Sequence, residues 1–190
     1  EFINDFNGIR GRSDCDPRSI LVMSDIDSAQ SKSDNIVSVC GAPSHWDTNG
    51  LKPHVTYTFL GGQGFIGENI GGKGRLDEKK NEVFYWSEEN IQALIRENID
   101  GMLYHDSHAD WGHRDSLLER TYNKASFGIS VTESCASIVI HMEKDYIEWN
   151  QFPIIVESGG TKQIRFSGTI DQNSITKMNE EKLKAIIYLA

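Results

Sequence analysis

Six histidines are spread over the 190-residue chain, at positions 45, 54, 105, 108, 113 and 141, and two stand out by their neighbours. His45 lies in Ser44-His45-Trp46-Asp47, and His113 lies in Trp111-Gly112-His113-Arg114-Asp115. Two neutral imidazoles converging on one cavity are preferred first ligands of a borderline metal such as zinc. Glu68 stands in Gly67-Glu68-Asn69, where the flanking glycine lets the backbone approach closely and aim the carboxylate. A lone histidine is more often a satisfied polar residue than a ligand, so these three gain weight only together. His105-Asp106-Ser107-His108 adds more donors, and a cationic His105 would also suit the C-terminal end of a helix dipole.

Other chemistries find less support. Gly61-Gly62-Gln63-Gly64 lacks the Gly-Lys-Ser/Thr ending and the preceding hydrophobic strand of a phosphate loop. No Gly-x-Ser-x-Gly elbow and no His-Glu-x-x-His helix is present. Cys15, Cys40 and Cys135 show no Cys-x-x-Cys spacing, so neither a structural zinc site nor a thioredoxin-type motif follows. Three cysteines allow one disulfide with a spare thiol, or three free thiols. Cys40 and Cys135 lie among apolar residues and read as core thiols or a bridge, not as nucleophiles.

The elements that must position these residues are read from periodicity. Phe2, Ile3, Phe6 and Ile9 predict a short opening helix. A second is predicted from Ile20, Met23, Ile26, Ala29, Ile36 and Val37, ending near Gly41 with Pro43 beyond. Residues 44–74 hold eight glycines and read as one long loop, a feature that is usually functional inside a compact domain. Ser87 reads as an N-cap ahead of Glu88 and Glu89, opening a helix that runs to about Tyr104. Beyond Asn123 the period changes to that of strands, at 127–131, 137–142, 146–149, 154–156, 163–167 and 184–189. Helices followed by consecutive strands argue for an antiparallel sheet packed by helices.

Charge and hydropathy bound the partners. The formal net charge of -9 repels phosphate backbones, so no nucleic acid is expected. A mean hydropathy of -0.45, without an apolar run of about 18 residues, predicts no transmembrane segment.

Taken in order, several short segments resemble the CAP superfamily of cysteine-rich secretory, antigen 5 and pathogenesis-related 1 proteins, and more closely its prokaryotic secreted branch. They are Phe2-Ile3-Asn4-Asp5-Phe6, Asp27-Ser28-Ala29-Gln30, the stretch from Ser44 to Pro53, Gly67-Glu68-Asn69-Ile70, Trp111 to Leu118, and Phe127 to Val131. The resemblance implies an α+β fold, an α-β-α sandwich with a central antiparallel sheet. It covers a CAP-like domain over 1–149, with residues 150–190 as an extra C-terminal β-structure. It also implies a cleft in which two histidines and two acids bind zinc or another divalent ion. His45 and His113 match the histidines and Glu68 the first acid. No glutamate occupies the second acidic place, where His105 or Asp106 stands in, or nothing does.

Three functions follow as expectations. The first is a secreted or cell-surface module whose metal-binding cleft takes an extracellular small molecule, lipid, glycan or peptide. The second is a metal-dependent hydrolase, in which an open coordination position lowers the pKa of bound water to ~7 and Glu68 serves as ligand or catalytic base. The third is a cell-envelope interaction domain with a vestigial cleft.

Overall fold

The computed structural model describes residues 2–11, 20–40, 44–74 and 86–170. They fall into two compact units, residues 1–145 and 146–190. The break at Asp145/Tyr146 leaves the strand that starts at Ile147 whole.

In the first unit the order is α1 (Phe2–Gly11), β1 (Val22–Met23), α2 (Ser28–Val39), α3 (Pro53–Phe59) and β2 (Phe65–Gly74). Then come α4 (Glu88–Tyr104), a 3-10 turn (Ser107–Ala109), α5 (Gly112–Leu118), β3 (Lys124–Val131) and β4 (Cys135–Lys144). The sheet order is β1-β3-β4-β2. The three long strands are antiparallel, and β1 adds a short parallel pairing at one edge. The class is α+β, as the sequence led us to expect.

Strand β4 is the spine, buried along both faces between β3 and β2. Side chains alternate across a strand, so its residues divide by parity. Ala136, Ile138, Ile140 and Met142 join the core formed with Phe6 of α1, four α4 residues and Leu117 of α5. His141 and Glu143 instead meet Ser28 of α2 and Tyr57 of α3. Helices therefore cover both faces, one contact layer apolar and the other polar. Burying each large aliphatic of the first layer contributes about 1.5–3 kcal/mol. Arg10 of α1, also fully buried, donates to the carbonyls of Leu117 (2.6 Å) and Glu119 (3.1 Å), closing the C-terminal end of α5.

Helix α4 begins as its sequence predicts: the Ser87 side chain accepts from the Asn90 N–H, and Glu88 and Glu89 occupy the first turn. Elsewhere tertiary pairing overrides local pattern. The helix expected from Ile20 starts only at Ser28. Val22 and Met23 are a strand, because the N–H groups of Val22 and Ser24 bond the carbonyls of Asn123 and Ala125. Residues 44–74 are not one loop but contain α3 and the ten-residue β2. The glycines of β2 serve close approach: a Cβ on Gly67 would stand 2.3 Å from the Tyr122 hydroxyl, and one on Gly71 would stand 2.2 Å from the Asn98 side chain. Residues 112–118, for which no helix was predicted, form α5. Among the described residues no helix is long and apolar enough to cross a membrane.

The described residues of the second unit form a two-stranded antiparallel sheet, β5 (Ile147–Ser158) and β6 (Thr161–Ile170). The strands predicted at 146–149 and 154–156 are one element, with register irregularities between Trp149 and Ile154. Gly159 and Gly160, at φ 59° and 78°, form the two-residue turn that such a hairpin favours. Trp149 and Phe166 meet edge to face at 5.8 Å. The strand expected at 184–189 lies outside the described residues.

Helix α2 rests on β3 at Gly128, where an added Cβ would come within 2.0 Å of the Ala29 carbonyl oxygen. Backbone cannot yield as a side chain end can, so Gly128→Ala is expected to lower unfolding stability by ~3 kcal/mol in urea titration. An unchanged midpoint would contradict this packing.

Candidate functional site

His45 is placed by a segment tied down on α2 and α3. The Lys32 ammonium donates to Asp47 Oδ1 at 2.8 Å, with both side chains buried, and Thr56 Oγ1 donates to Asp47 Oδ2 at 2.7 Å. Asn35 brackets Thr48, donating to its hydroxyl at 2.8 Å and accepting from its N–H at 3.1 Å. A buried ion pair is tolerated only when its remaining donors and acceptors are engaged, as both Asp47 oxygens are here. Lys52 Nζ lies 4.2 Å from the centre of the Trp46 ring.

Glu68 sits on edge strand β2, directly across from His141 of β4 in the strand register. Its Oε1 accepts from His45 Nδ1 at 2.7 Å and its Oε2 from His141 Nε2 at 2.9 Å. On its other nitrogen, His141 Nδ1 pairs with the Ser28 hydroxyl at 2.7 Å. The chain Ser28–His141–Glu68–His45 thus runs from the fully buried start of α2 to an imidazole that is 57% exposed. A carboxylate only accepts, so the nitrogens facing Glu68 carry hydrogen. That makes His141 an Nε2–H donor and His45 an Nδ1–H donor, leaving His45 Nε2 turned away from its carboxylate.

A second pair forms after α4. Asp106 is buried, and its Oδ1 accepts from His113 Nδ1 at 2.7 Å. Its Oδ2 accepts the backbone N–H groups of His113 (2.8 Å) and Arg114 (3.4 Å). The carboxylate thereby caps α5, where negative charge also suits the helix dipole. Asp110 and Trp111 turn the chain back, both in the left-handed region at φ 52° and 62°. For a bulky residue such as Trp111 that conformation costs of order 1–2 kcal/mol. The Arg114 guanidinium lies 4.3 Å from the centre of the Trp111 ring.

Burial acts to raise the Asp106 pKa. The bonds from the His113 side chain, the His113 N–H and the Arg114 N–H outweigh it and hold the carboxyl below its ordinary value. Glu143 shows the opposite balance: burial beside the sheet pushes it up, despite the hydroxyls of Ser24 and Tyr57.

Of the residues singled out from sequence, His45 joins Glu68 and His113 joins Asp106. His105 caps the end of α4 and lies 3.4 Å from Asp100 in an exposed pair, so Asp106 is the one that meets a candidate histidine. Among the described residues, no hydrogen bond or ion pair links the two histidine–carboxylate pairs. Nor do three His, Cys, Asp or Glu side chains converge in a set that could hold a metal ion. Among the described residues the donors as arranged do not fit the three- or four-ligand site that zinc takes. What the arrangement offers instead is two imidazoles oriented through Nδ1, each with Nε2 available as base or ligand. His141 and Ser28 were not singled out from sequence. The readable signal was a histidine inside the otherwise mostly apolar β-run around 137–142, and Ser28 entered only as a member of Asp27-Ser28-Ala29-Gln30.

On the opposite face of the sheet lies a cavity of about 670 Å³ between α1, α4 and the strands. Phe6, Ile9, Ile95, Ile99, Phe127 and Ile140 supply much of its apolar wall. This cavity and the histidine chain are therefore separate features.

Fold and site define an α+β sandwich carrying two histidine–carboxylate pairs and an apolar cavity. No protein-family model matches the chain, and no curated protein does. Among solved structures it is similar to one described as the CAP domain of Enterococcal PrgA, at 19% identity and a TM-score of 0.47. The match covers 73% of this chain and 56% of that one.

Asp106 carries a pH signature. Its folded pKa is below the unfolded one, so its contribution is complete above the unfolded value near ~3.9 and is lost as pH falls through the folded value. Asp106→Asn is expected to cost ~1–3 kcal/mol at neutral pH, with the gap to wild type closing in acid, as read by denaturation at stepped pH. A gap independent of pH would contradict the assignment.

Proposed function

We propose that this chain is a CAP-like binding module, acting outside the cell, whose apolar cavity takes a single acyl chain. The observation carrying the reading is the cavity itself: about 670 Å³, walled mainly by aliphatic and aromatic side chains of α1, α4, β3 and β4. Its volume lies in the ~300–1,000 Å³ range of small-molecule sites. An acyl chain gains ~0.8 kcal/mol per buried methylene, so about ten of them give ~8 kcal/mol before the cost of association. Of the lipid, glycan and peptide classes, a lipid suits this lining best, because a glycan would leave its hydroxyls without partners there. Arg96, Asp5 and Asp100 also line the cavity and are exposed, so both signs of charge are present for a headgroup.

Palmitate displacing a fluorescent fatty acid from the purified chain tests this. Ile95→Arg and Ile129→Arg, both half-buried on the cavity wall, are expected to weaken binding at least ~10-fold while circular dichroism stays unchanged. Absence of binding by wild type, or binding indifferent to both variants, overturns the reading.

One observation favours a metal-dependent hydrolase as a second reading: both imidazoles are anchored through Nδ1, the usual orientation of a metal-ligating histidine. It requires His45 and His113 to meet on one divalent ion, zinc being the ion that the resemblance implies. Zinc uptake abolished by His45→Ala and by His113→Ala supports it, and no uptake by wild type removes it.

A further inference from the structure

We propose that Cys40 and Cys135 are a redox pair, which a small disulfide oxidant converts into an intrachain bridge fastening the end of α2 to the start of β4. Helix α2 ends at Val39, and Cys40 closes it in the left-handed region at φ 48°, its N–H donating to the Ile36 carbonyl at 3.1 Å. Cys135 opens β4 with its sulfur turned to that same last turn, 3.7 Å from the Val37 carbonyl and 3.2 Å from Thr132 Oγ1. The two thiols are free, and the Cys135 thiol stands near enough to act on the titration of Cys40. Their backbones are held in place: Ser33 Oγ bonds the Ser137 carbonyl at 3.0 Å, and β4 is paired on both sides. A bridge needs two cysteines brought to one place, and the Cys135 sulfur lies against the last turn of the helix that Cys40 closes.

Exposure divides the roles. Cys40 reaches solvent and Cys135 is buried. Cys40, as its thiolate, attacks one sulfur of the oxidant, breaks its S–S bond and releases one small thiol. Cys135, deprotonated in turn, attacks the Cys40 sulfur of the mixed disulfide and releases the second. Two protein thiols are oxidised to one disulfide, the oxidant is reduced to two thiols, and the two protons leave with them. The hydrogen bond to Cys135, then burial, then the charge of Cys135 raise the Cys40 pKa to about 11. The first step is therefore slow at neutral pH and quickens as pH rises toward that value. His45 follows Cys40 by five residues, so the bridge fixes the anchor from which the His45 segment departs.

The test uses the full chain with Cys15→Ser, which leaves only this pair, equilibrated with oxidised glutathione at pH 8. Expected are loss of both reactive thiols, a monomer on a non-reducing gel, and one cross-linked peptide joining Cys40 to Cys135. The oxidised form should melt ~5–10 °C above the reduced one, because the closed loop is long. In the same background Cys135→Ser should stop at a glutathione adduct on Cys40. Two thiols still reactive in the Cys15→Ser chain, a stable glutathione adduct there, or a disulfide-linked dimer would each overturn the proposal.

Discussion

Strand β4 is buried on both faces, and one of those faces carries His141 and Glu143. A polar group taken from water without a partner costs several kcal/mol, and an unpaired charge costs more. Several contacts on that side of the sheet answer this demand. Helix α2 brings Ser28 to His141, α3 brings Tyr57 to Glu143, and edge strand β2 must keep the register that sets Glu68 opposite His141. A slip of one residue would turn Glu68 to the apolar face. The polar partners thus fix the register as firmly as the hydrophobic core does.

The same alternation separates two kinds of chemistry. Even-numbered β4 positions build an apolar wall with α1 and α4, and the cavity opens along it. Odd-numbered positions carry the hydrogen-bonded chain that ends at the exposed His45. Asp106 does for His113 what Glu68 does for His45, and it also caps α5. Each carboxylate has its imidazole on a different support, so the two pairs are independent devices as they stand.

How much of this was legible in the sequence differs by element. Helix α4 was, because its cap, acidic first turn and apolar stripe all agree, and so were β3 and β4, where β-branched and aromatic side chains recur. Strand β2 was not: four glycines between Gly67 and Gly74 read as loop, yet they make room for Tyr122 and Asn98. Strand β1 was hidden because two residues gain their state only from a partner about a hundred positions away. At the site, His45, Glu68 and His113 could be picked out by residue type and motif order. That Asp106 meets His113 while His105 does not depends on the reversed turn at Asp110 and Trp111. His141 and Ser28 owe their place to strand register and helix packing, which no local pattern records. The cavity is likewise a product of three separated elements.

At the centre of the site Glu68 accepts from two imidazoles protonated on opposite nitrogens. Long-range nitrogen–proton correlation spectra of the histidine rings, recorded with the imidazoles neutral, test it directly. The account predicts His141 as the Nε2–H tautomer and His45 and His113 as Nδ1–H, with the His141 signal changed by Glu68→Gln. His141 found as the Nδ1–H tautomer, or insensitive to Glu68, would contradict it.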